Sequence, residues 1–318
     1  MKIGFIGLGN VGGSLAGNLL ANGLDLTVRD LNRTTAEPFL ARGAGWAESP
    51  AELADMVDLV ITCLPSPAAS TAVMEGPDGL LTRLGPGKIW AEMSTTDADE
   101  MARLAGLVTA TGAEAIECPV SGGCHRAATG NISIFAGGPR ETFETMLPIL
   151  TILGRRVLHT GPIGSASKLK VMTNYLATTH LVALAEALTT MAAAGLDLAT
   201  TYEAIRISSG NSFVHETESQ VILNGSRDIN FTMDLVLKDI GLFQSIAETH
   251  AVPLTLSPML VQLFEEANAA YGGREHSPNI IRRYEEPTGL NIRAPGFPAS
   301  MVDDEPPERG AEVHPRRG

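Results

Sequence analysis

The chain has 318 residues, of which 44% are apolar, with a formal net charge of −13 and three cysteines. This length accommodates two domains with substantial cores, and the acidic balance argues against a nucleic-acid partner or an anionic membrane, because the basic residues do not cluster. Cys63, Cys118 and Cys124 lack zinc-ligand spacing, and their odd number argues against a disulfide framework. We predict no metal site.

The cellular location follows by elimination. The first predicted strand starts at Lys2, which leaves no room for a signal peptide. The longest apolar run, 176–198, is interrupted by His180, Glu186 and Asp197, so it is too polar for a membrane span. We expect a cytoplasmic protein with no membrane partner.

The first strand runs into a glycine motif that is typical of dinucleotide-binding loops, Gly7-Leu8-Gly9-Asn10-Val11-Gly12. Gly7 makes the strand-to-helix turn, Gly9 lets the backbone approach a pyrophosphate, and Gly12 allows close packing of helix and strand. The helix that follows, 11–21, directs its free N–H groups and positive dipole end at that phosphate. These residues are therefore candidate cofactor contacts.

Asp30 ends the second predicted strand, close to the roughly 20-residue offset at which a carboxylate accepts the ribose hydroxyls of NAD. Arg29 and Arg33 offer guanidinium groups that can equally receive the 2′-phosphate of NADP. The sequence favours NAD and leaves NADP open.

Apolar runs alternate with helical patterns through the first half of the chain, as in βαβ units. We predict an α/β fold with a doubly wound, Rossmann-type sheet, and the predicted strands are 2–6, 25–29, 59–63, 89–92, 115–117 and 132–136. The ligand crevice of such a sheet lies at the carboxyl ends of its strands. The loops that leave those ends are therefore candidate contacts: 7–12, Leu64-Pro65-Ser66, Ser94-Thr95 and 119–123.

After Gly161-Pro162 the pattern becomes almost entirely helical, so we place a domain boundary near residue 162. The predicted helices are 165–195, 198–208, 231–250 and 253–270. We thus expect a dinucleotide-binding domain over 1–162, an all-helical substrate and dimerisation domain over 163–286, joined by the long helix, and a tail without a packed core over 287–318. Few charges on the long helix indicate a homodimer or homotetramer.

Lys170 and Asn174 stand one turn apart on the long predicted helix and could support acid/base chemistry. Lys168 is the alternative candidate for the lysine that carries out this chemistry. Two residues on a helix turn about 200°, so both lysines cannot face the same crevice.

These motifs, taken together and in order, resemble the β-hydroxyacid dehydrogenases typified by 3-hydroxyisobutyrate dehydrogenase and tartronate semialdehyde reductase. The resemblance covers 2–285 and rests on the glycine motif, Leu64-Pro65, Met93-Ser94-Thr95, Pro119-Val120-Ser121-Gly122-Gly123, Gly164 with Lys170 and Asn174, and Lys238-Asp239. It implies hydride transfer between a nicotinamide and a short 3-hydroxy acid or semialdehyde. The alternatives are an imine or aldehyde reductase on the same fold and a non-catalytic dinucleotide-binding protein.

The resemblance also implies roles for single residues. Counting from Gly164 selects Lys170 as the general acid/base, whose pKa of about 10.4 in water would fall on desolvation or beside a second cation. It further implies that Asn174 holds the substrate and that Ser121, Gly122 and Gly123 form the cradle for the substrate carboxylate. The remaining implied contacts are Leu64, Pro65 and Thr95 to the cofactor, Phe213 to the substrate and Lys238 to either.

Some features leave alternatives open. Lys238 could instead form a structural salt bridge with Asp239 or Glu186. His125 and Arg126 are not typical of the family, and they could bind a second polar group of the substrate or lie in solvent as loop residues.

Overall fold

The computed structural model describes residues 1–306 and 308–316. Two compact units divide the chain: the first contains Met1–Lys170 and Asp303–Gly318, and the second contains Val171–Val302.

The first unit is built on one sheet of ten strands in the described part of the chain. The strands are β1 (Ile3–Ile6), β2 (Leu26–Arg29), β3 (Gly45–Trp46), β4 (Leu59–Thr62), β5 (Ile89–Glu92), β6 (Glu114–Glu117), β7 (Val120–Ser121), β8 (Ile132–Gly137), β9 (Gly154–Gly161) and β10 (Ala311–Glu312). The helices are α1 (Asn10–Ala21), α2 (Glu37–Leu40), α3 (Pro50–Met56), α4 (Pro67–Glu75), α5 (Ala98–Ala110), α6 (Cys124–Thr129), α7 (Arg140–Leu153) and the start of α8 (Ser165–Ala193).

The strand order is β10-β9-β8-β6-β5-β4-β1-β2-β3, with β7 paired to β8. Strands β1 to β6 are parallel, with β2 and β3 on one side of β1 and β4, β5 and β6 on the other. This order confirms the predicted doubly wound sheet. Strands β1 and β4 are buried along their whole length, as expected for strands covered by helices on both faces. All the predicted strands of this unit are present.

Apolar cores cover the two faces of the sheet. Phe5, Leu15 and Phe143 belong to one cluster, and Leu53 and Trp90 belong to the other. Helices α1 and α7 pack against one face of the sheet and α3 against the other, through side chains that are almost fully excluded from water. Their burial stabilises the fold by the hydrophobic effect.

The C-terminal residues differ from the predicted tail. Ile292 is fully buried in the core of the second unit, and β10 pairs in parallel with β9 in the first. Helix α13 also extends to Thr288, past the predicted start of the tail. The order of this segment therefore comes from its contacts with the core of the second unit and with strand β9, and not from a core formed by its own prolines and charges.

The second unit is helical, with α9 (Leu198–Arg206), α10 (Phe213–Asn224), α11 (Met233–Thr249), α12 (Leu256–Tyr271) and α13 (Arg282–Thr288) besides the rest of α8. Its core includes Leu188, Ile240 and Phe264. Helix α10 was not predicted, although Ser212 accepts a hydrogen bond from the His215 N–H and so forms a standard N-cap.

Helix α8 is 29 residues long, and its most apolar 18-residue window has a mean hydropathy of 1.3. By length and composition alone α8 is apolar enough to cross a membrane, a test that the core helices of soluble proteins also pass. Within that window, 39% of the residues are buried.

Candidate active site

The glycine loop joins β1 to α1 and fits the pyrophosphate of a dinucleotide. Gly7 has a φ of +97°, and a Cβ there would lie 2.3 Å from the carbonyl oxygen of Cys63, so only glycine makes this turn. A Cβ on Gly12 would lie 2.1 Å from the Gly7 carbonyl oxygen. A Cβ on Gly9 would meet nothing within 4 Å, which leaves open space where a phosphate would approach α1.

The other residues of this loop differ in exposure. Leu8 is buried, whereas Asn10 is exposed and begins α1, followed by the half-buried Val11. As the N-cap of α1, Gly9 brings no side chain to satisfy the first-turn N–H groups. Those groups are suited to an anion supplied by a ligand.

Asp30 follows β2 and contacts the glycine loop directly. Its carboxylate accepts a hydrogen bond from the Leu8 N–H at 2.7 Å and another from the Asn32 N–H at 2.9 Å. Each carboxylate oxygen can accept more than one hydrogen bond, so the group can still accept from a ribose. Asp30 therefore orients the loop as well as marking the predicted ribose position.

The two arginines near Asp30 share one aromatic neighbour. The guanidinium carbons of Arg29 and Arg33 lie 5.3 and 5.1 Å from the ring centroid of Trp46, within the range of cation–π attraction. Arg33 also pairs with the exposed Glu48 at 2.8 Å. Both cations remain close to the predicted ribose position, so the geometry keeps NADP open beside NAD.

The loops after β4 and β5 are joined through a buried glutamate. The Leu64 N–H donates to Ser94 Oγ at 2.7 Å, and the Ser94 hydroxyl and N–H both donate to the Glu92 carboxylate. Burial raises the pKa of Glu92, and the hydrogen bonds from Ser94 oppose that rise. This chain of contacts holds Leu64, with the exposed Pro65 after it, against the loop that contains the half-buried Thr95.

The candidate substrate cradle follows β6. Ser121 belongs to β7 and pairs with Ser133 of β8. Gly122 and Gly123 have φ values of +131° and +87°, which explains why two glycines follow the serine. All three residues are partly exposed, so the Ser121 hydroxyl and the neighbouring N–H groups can reach a small anion.

A second buried glutamate connects this region to helix α8. Glu117 is the last residue of β6 and is fully buried. Its carboxylate accepts the Ala166 N–H at 2.9 Å, the Ser167 N–H at 3.1 Å and the Ser167 hydroxyl. Burial raises its pKa, while these hydrogen bonds oppose the rise. The first turn of α8 is therefore held at the carboxyl end of β6, where the loop to the cradle begins.

The two candidate lysines of α8 differ in burial. Lys170 lies one turn beyond the N–H groups that Glu117 binds and is 7% exposed, whereas Lys168 is exposed. Lys170 is the unusual one of the pair, because a lysine side chain is almost never fully buried unless it is paired. The two lysines therefore have different environments, and the catalytic role of Lys170 stays a prediction.

The remaining predicted residues belong to the second unit. The Asn174 amide donates to the Asp239 carboxylate, and Asp239 is 2% exposed. Lys238 Nζ lies 3.0 Å from Asp239 Oδ1, so the salt bridge considered as an alternative for Lys238 is present. Asp239 therefore connects two residues for which the sequence predicts substrate contacts.

Phe213 is the first residue of α10, and 44% of its surface is exposed. It is therefore not part of the core of the second unit.

His125 and Arg126 lie in α6, directly after the cradle. Burial lowers the pKa of His125, and the nearby Arg126 charge lowers it further. Arg126 Nη2 lies 3.0 Å from Glu305 Oε1 in the C-terminal segment, so Arg126 is an ion-pair partner rather than a solvated loop residue.

Sequence reasoning missed Glu92, Ser94 as a relay, and Glu117. The available signal was a glutamate as the last residue of a buried strand, a position where an ionisable group is costly unless it has partners. Among the described residues, no three His, Cys, Asp or Glu side chains come together as a candidate metal site.

Residues 2–161 match the model of the NAD-binding domain of 6-phosphogluconate dehydrogenase, and residues 164–284 match the NAD-binding model of NADP-dependent 3-hydroxyisobutyrate dehydrogenase. The 2-(hydroxymethyl)glutarate dehydrogenase of Eubacterium barkeri is 33% identical, with 92% of this chain and 97% of the relative covered. The chain belongs to the β-hydroxyacid dehydrogenase family.

Two further relatives show the breadth of this family. The NAD-dependent L-serine dehydrogenase of Pseudomonas aeruginosa is 31% identical over 90% of this chain and 98% of its own. The crystal structure of 3-hydroxyisobutyrate dehydrogenase from Salmonella typhimurium is 30% identical with a TM-score of 0.81, over 89% of this chain and 99% of that one. This protein is thus an NAD(P)-binding oxidoreductase with the fold of 3-hydroxyisobutyrate dehydrogenase.

Proposed function

We propose that this hydroxyacid dehydrogenase transfers a hydride between NAD and a short 3-hydroxy acid, 3-hydroxyisobutyrate-like or 2-hydroxy-3-oxopropionate-like, with Lys170 as the general acid/base. The observation that carries the proposal is the position of a buried amine. Lys170 follows the turn that Glu117 holds at the end of β6, and β6 leads into Ser121-Gly122-Gly123. A proton carrier and an anion cradle are therefore both tied to the end of one strand.

The glycine loop, Asp30, Leu64, Pro65 and Thr95 would hold the cofactor, which when bound supplies a hydride acceptor or donor at its nicotinamide. Ser121 and the N–H groups of Gly122 and Gly123 bind the substrate carboxylate. Lys170 takes the hydroxyl proton as the alcohol becomes a carbonyl, and it returns the proton in the reverse direction. The family resemblance further assigns polar substrate contacts to Asn174 and Lys238, both tied to Asp239, and an apolar substrate contact to Phe213.

The test is a dehydrogenase assay with a panel of short 3-hydroxy acids and semialdehydes, run with NAD and with NADP. We expect activity with the wild type, and we expect Lys170→Ala to lower kcat by about 10²- to 10⁴-fold, the usual contribution of a general acid/base. NADH binding, followed by fluorescence, should remain unchanged in this variant.

Lys168→Ala is the matched control, because it removes the same charge two residues earlier from an exposed position and should leave kcat unchanged. A Lys170→Ala enzyme that keeps wild-type turnover would refute the assigned role. Activity with imines but not with hydroxy acids would replace the proposal with an imine reductase, and NADH binding without any turnover would replace it with a non-catalytic dinucleotide-binding protein.

The proposal includes a homodimer or homotetramer in the cytoplasm. Support for association comes from large apolar side chains on the surface of the second unit, among them Leu176, Ile207 and Met259, which are 43, 77 and 58% exposed. Light scattering coupled to size exclusion measures the mass directly, and a monomer would contradict this part of the proposal.

A further inference from the structure

The last residues of the chain lie beyond both family models, the second of which ends at residue 284. We call residues 303–306 and 308–313 the C-terminal strap. Its C-terminal part adds β10 to the sheet, and the Gly310 N–H donates to the Thr151 carbonyl at 2.8 Å. A Cβ on Gly310 would lie 1.8 Å from the Gly154 carbonyl oxygen, so the strap is in close contact with the sheet edge.

The first part of the strap contacts α6. The Asp303 side chain is 1% exposed and accepts hydrogen bonds from the Thr129 hydroxyl and, at 2.6 Å, from the amide of the buried Asn131. Burial acts to raise the pKa of Asp303, but these hydrogen bonds hold it below its ordinary value. Asp303 is therefore an ionised group that the fold accommodates specifically.

Glu305 pairs with three arginines of the first unit, the longest contact being 3.6 Å to the exposed Arg156. Its carboxylate lies 3.0 Å from Arg126 Nη2 and 3.2 Å from Arg155 Nε. Asp303 adds a longer contact of 3.9 Å to Arg126 Nε. The Arg126 and Arg155 side chains are each only 19% exposed, so solvent screens these pairs less than it screens surface salt bridges.

Arg126 connects the strap to the cradle. A Cβ on Gly122 would lie 3.2 Å from Arg126 Cδ, so the aliphatic stem of Arg126 runs against Gly122 while its guanidinium reaches the strap. Gly123 is the N-cap of α6, the helix that contains Arg126 and ends at Thr129. The strap thus contacts α6 at two residues, Arg126 and Thr129, directly after the candidate carboxylate-binding loop in the chain.

We propose that the C-terminal strap is a positioning element for substrate binding, in which Asp303 and Glu305 hold Thr129 and Arg126 and thereby fix the Ser121-Gly122-Gly123 loop in its anion-binding geometry. This inference rests on the proposed function of that loop. A short loop with two glycines has unusual backbone freedom, so it needs an external restraint to present its N–H groups to a carboxylate at low entropic cost.

The test compares a double variant with a control. The double variant carries Asp303→Asn and Glu305→Gln together, which removes both charges and keeps the shapes of the side chains, and the control is Glu308→Gln. Glu308 belongs to the same strap and pairs with Arg155 at 2.9 Å, but its side chain is 64% exposed. In the double variant we expect KM for the hydroxy acid to rise about ten-fold because the loop is less pre-organised, with kcat and the NADH dissociation constant nearly unchanged. The control should match the wild type in all three quantities.

A merely structural role would lower Tm without changing KM, and that result would overturn the proposal. If the double variant does not fold, Glu305→Gln alone and the pair Arg126→Lys and Arg126→Gln replace it. The lysine variant, which keeps the cation, should retain a lower KM than the glutamine variant, and equal KM values would be contrary to the proposal.

Hydrogen exchange of the backbone over 120–127 separates failure of the strap from failure of the proposed function. If the wild type oxidises no hydroxy acid, the proposed function fails, and exchange still reports the restraint. Faster exchange over 120–127 in the double variant supports the strap as the element that holds this loop, whereas exchange equal to the wild type refutes it.

Discussion

Replacing Glu117 with glutamine tests whether a buried carboxylate positions Lys170, the proposed general acid/base. The carboxylate accepts three hydrogen bonds from the start of α8, from two backbone N–H groups and one hydroxyl. Glutamine has the same shape but only one acceptor oxygen, and its NH₂ group would face a backbone N–H. The Ser167 hydroxyl can rotate to accept from that NH₂, so one buried N–H is left without an acceptor.

The expected cost follows from that count. One unsatisfied buried N–H destabilises a fold by about 1–3 kcal/mol, which lowers Tm by roughly 2–4 °C per kcal/mol in a domain of this size. The start of α8 should move away from the new NH₂ group, and Lys170 moves with it. A displacement of about 1 Å can reduce turnover 10²-fold, so we expect kcat to fall by about 10- to 100-fold. NADH binding should not change, because Glu117 is not hydrogen-bonded to the glycine loop.

The assays are steady-state kinetics, NADH titration and thermal unfolding, and Glu114→Gln is the control. Glu114 is the first residue of the same strand and is exposed, with Thr142 Oγ1 donating to it at 2.6 Å. Gly137→Ala is an independent variant, since a Cβ there would lie 2.3 Å from Glu117 Oε1 and displace the carboxylate. If Glu117→Gln lowers Tm but keeps kcat at the wild-type value, Glu117 stabilises the fold without positioning Lys170, and the reasoning is refuted.

Two more predictions concern the glycine loop and helix α10. Gly9→Val should fold with little loss of Tm, because φ is −65° and a Cβ there enters open space, but it should weaken NADH binding by at least about ten-fold by filling that space. Gly12→Ala should instead lower Tm, because its Cβ would lie 2.1 Å from the Gly7 carbonyl oxygen. The opposite pattern in the two variants would contradict the assignment of the phosphate site. Burial raises the pKa of Glu218 from 4.5 to about 8, so between those pH values the folded protein holds a proton that the unfolded chain has lost. The free energy of unfolding should therefore fall as pH rises through this window, by at most about 1.4 kcal/mol per pH unit, and urea unfolding of Glu218→Gln should show a flatter dependence; identical pH profiles would refute the burial of this carboxyl.

The sequence predicted the parts of this protein that depend on local pattern. The strand-glycine-helix motif, the alternation of strands and helices and the helical second half are all periodicities within short segments, and the structure confirms them. Helical geometry also predicts that Lys168 and Lys170 cannot face the same crevice, since residues two apart point in nearly opposite directions, whereas the choice of Lys170 came from the family resemblance.

Only the tertiary structure revealed the contacts that hold the site together. Glu117 binds residues about 50 positions later, Ser94 binds Leu64 of another loop, and Asp303 and Glu305 contact α6 from the far end of the chain. The predicted tail was wrong for the same reason, because its residues gain order from β9 and α6 rather than from one another. A charged side chain can be read in a sequence, but its partner is decided by which strands and helices the fold brings together, and no local pattern encodes that.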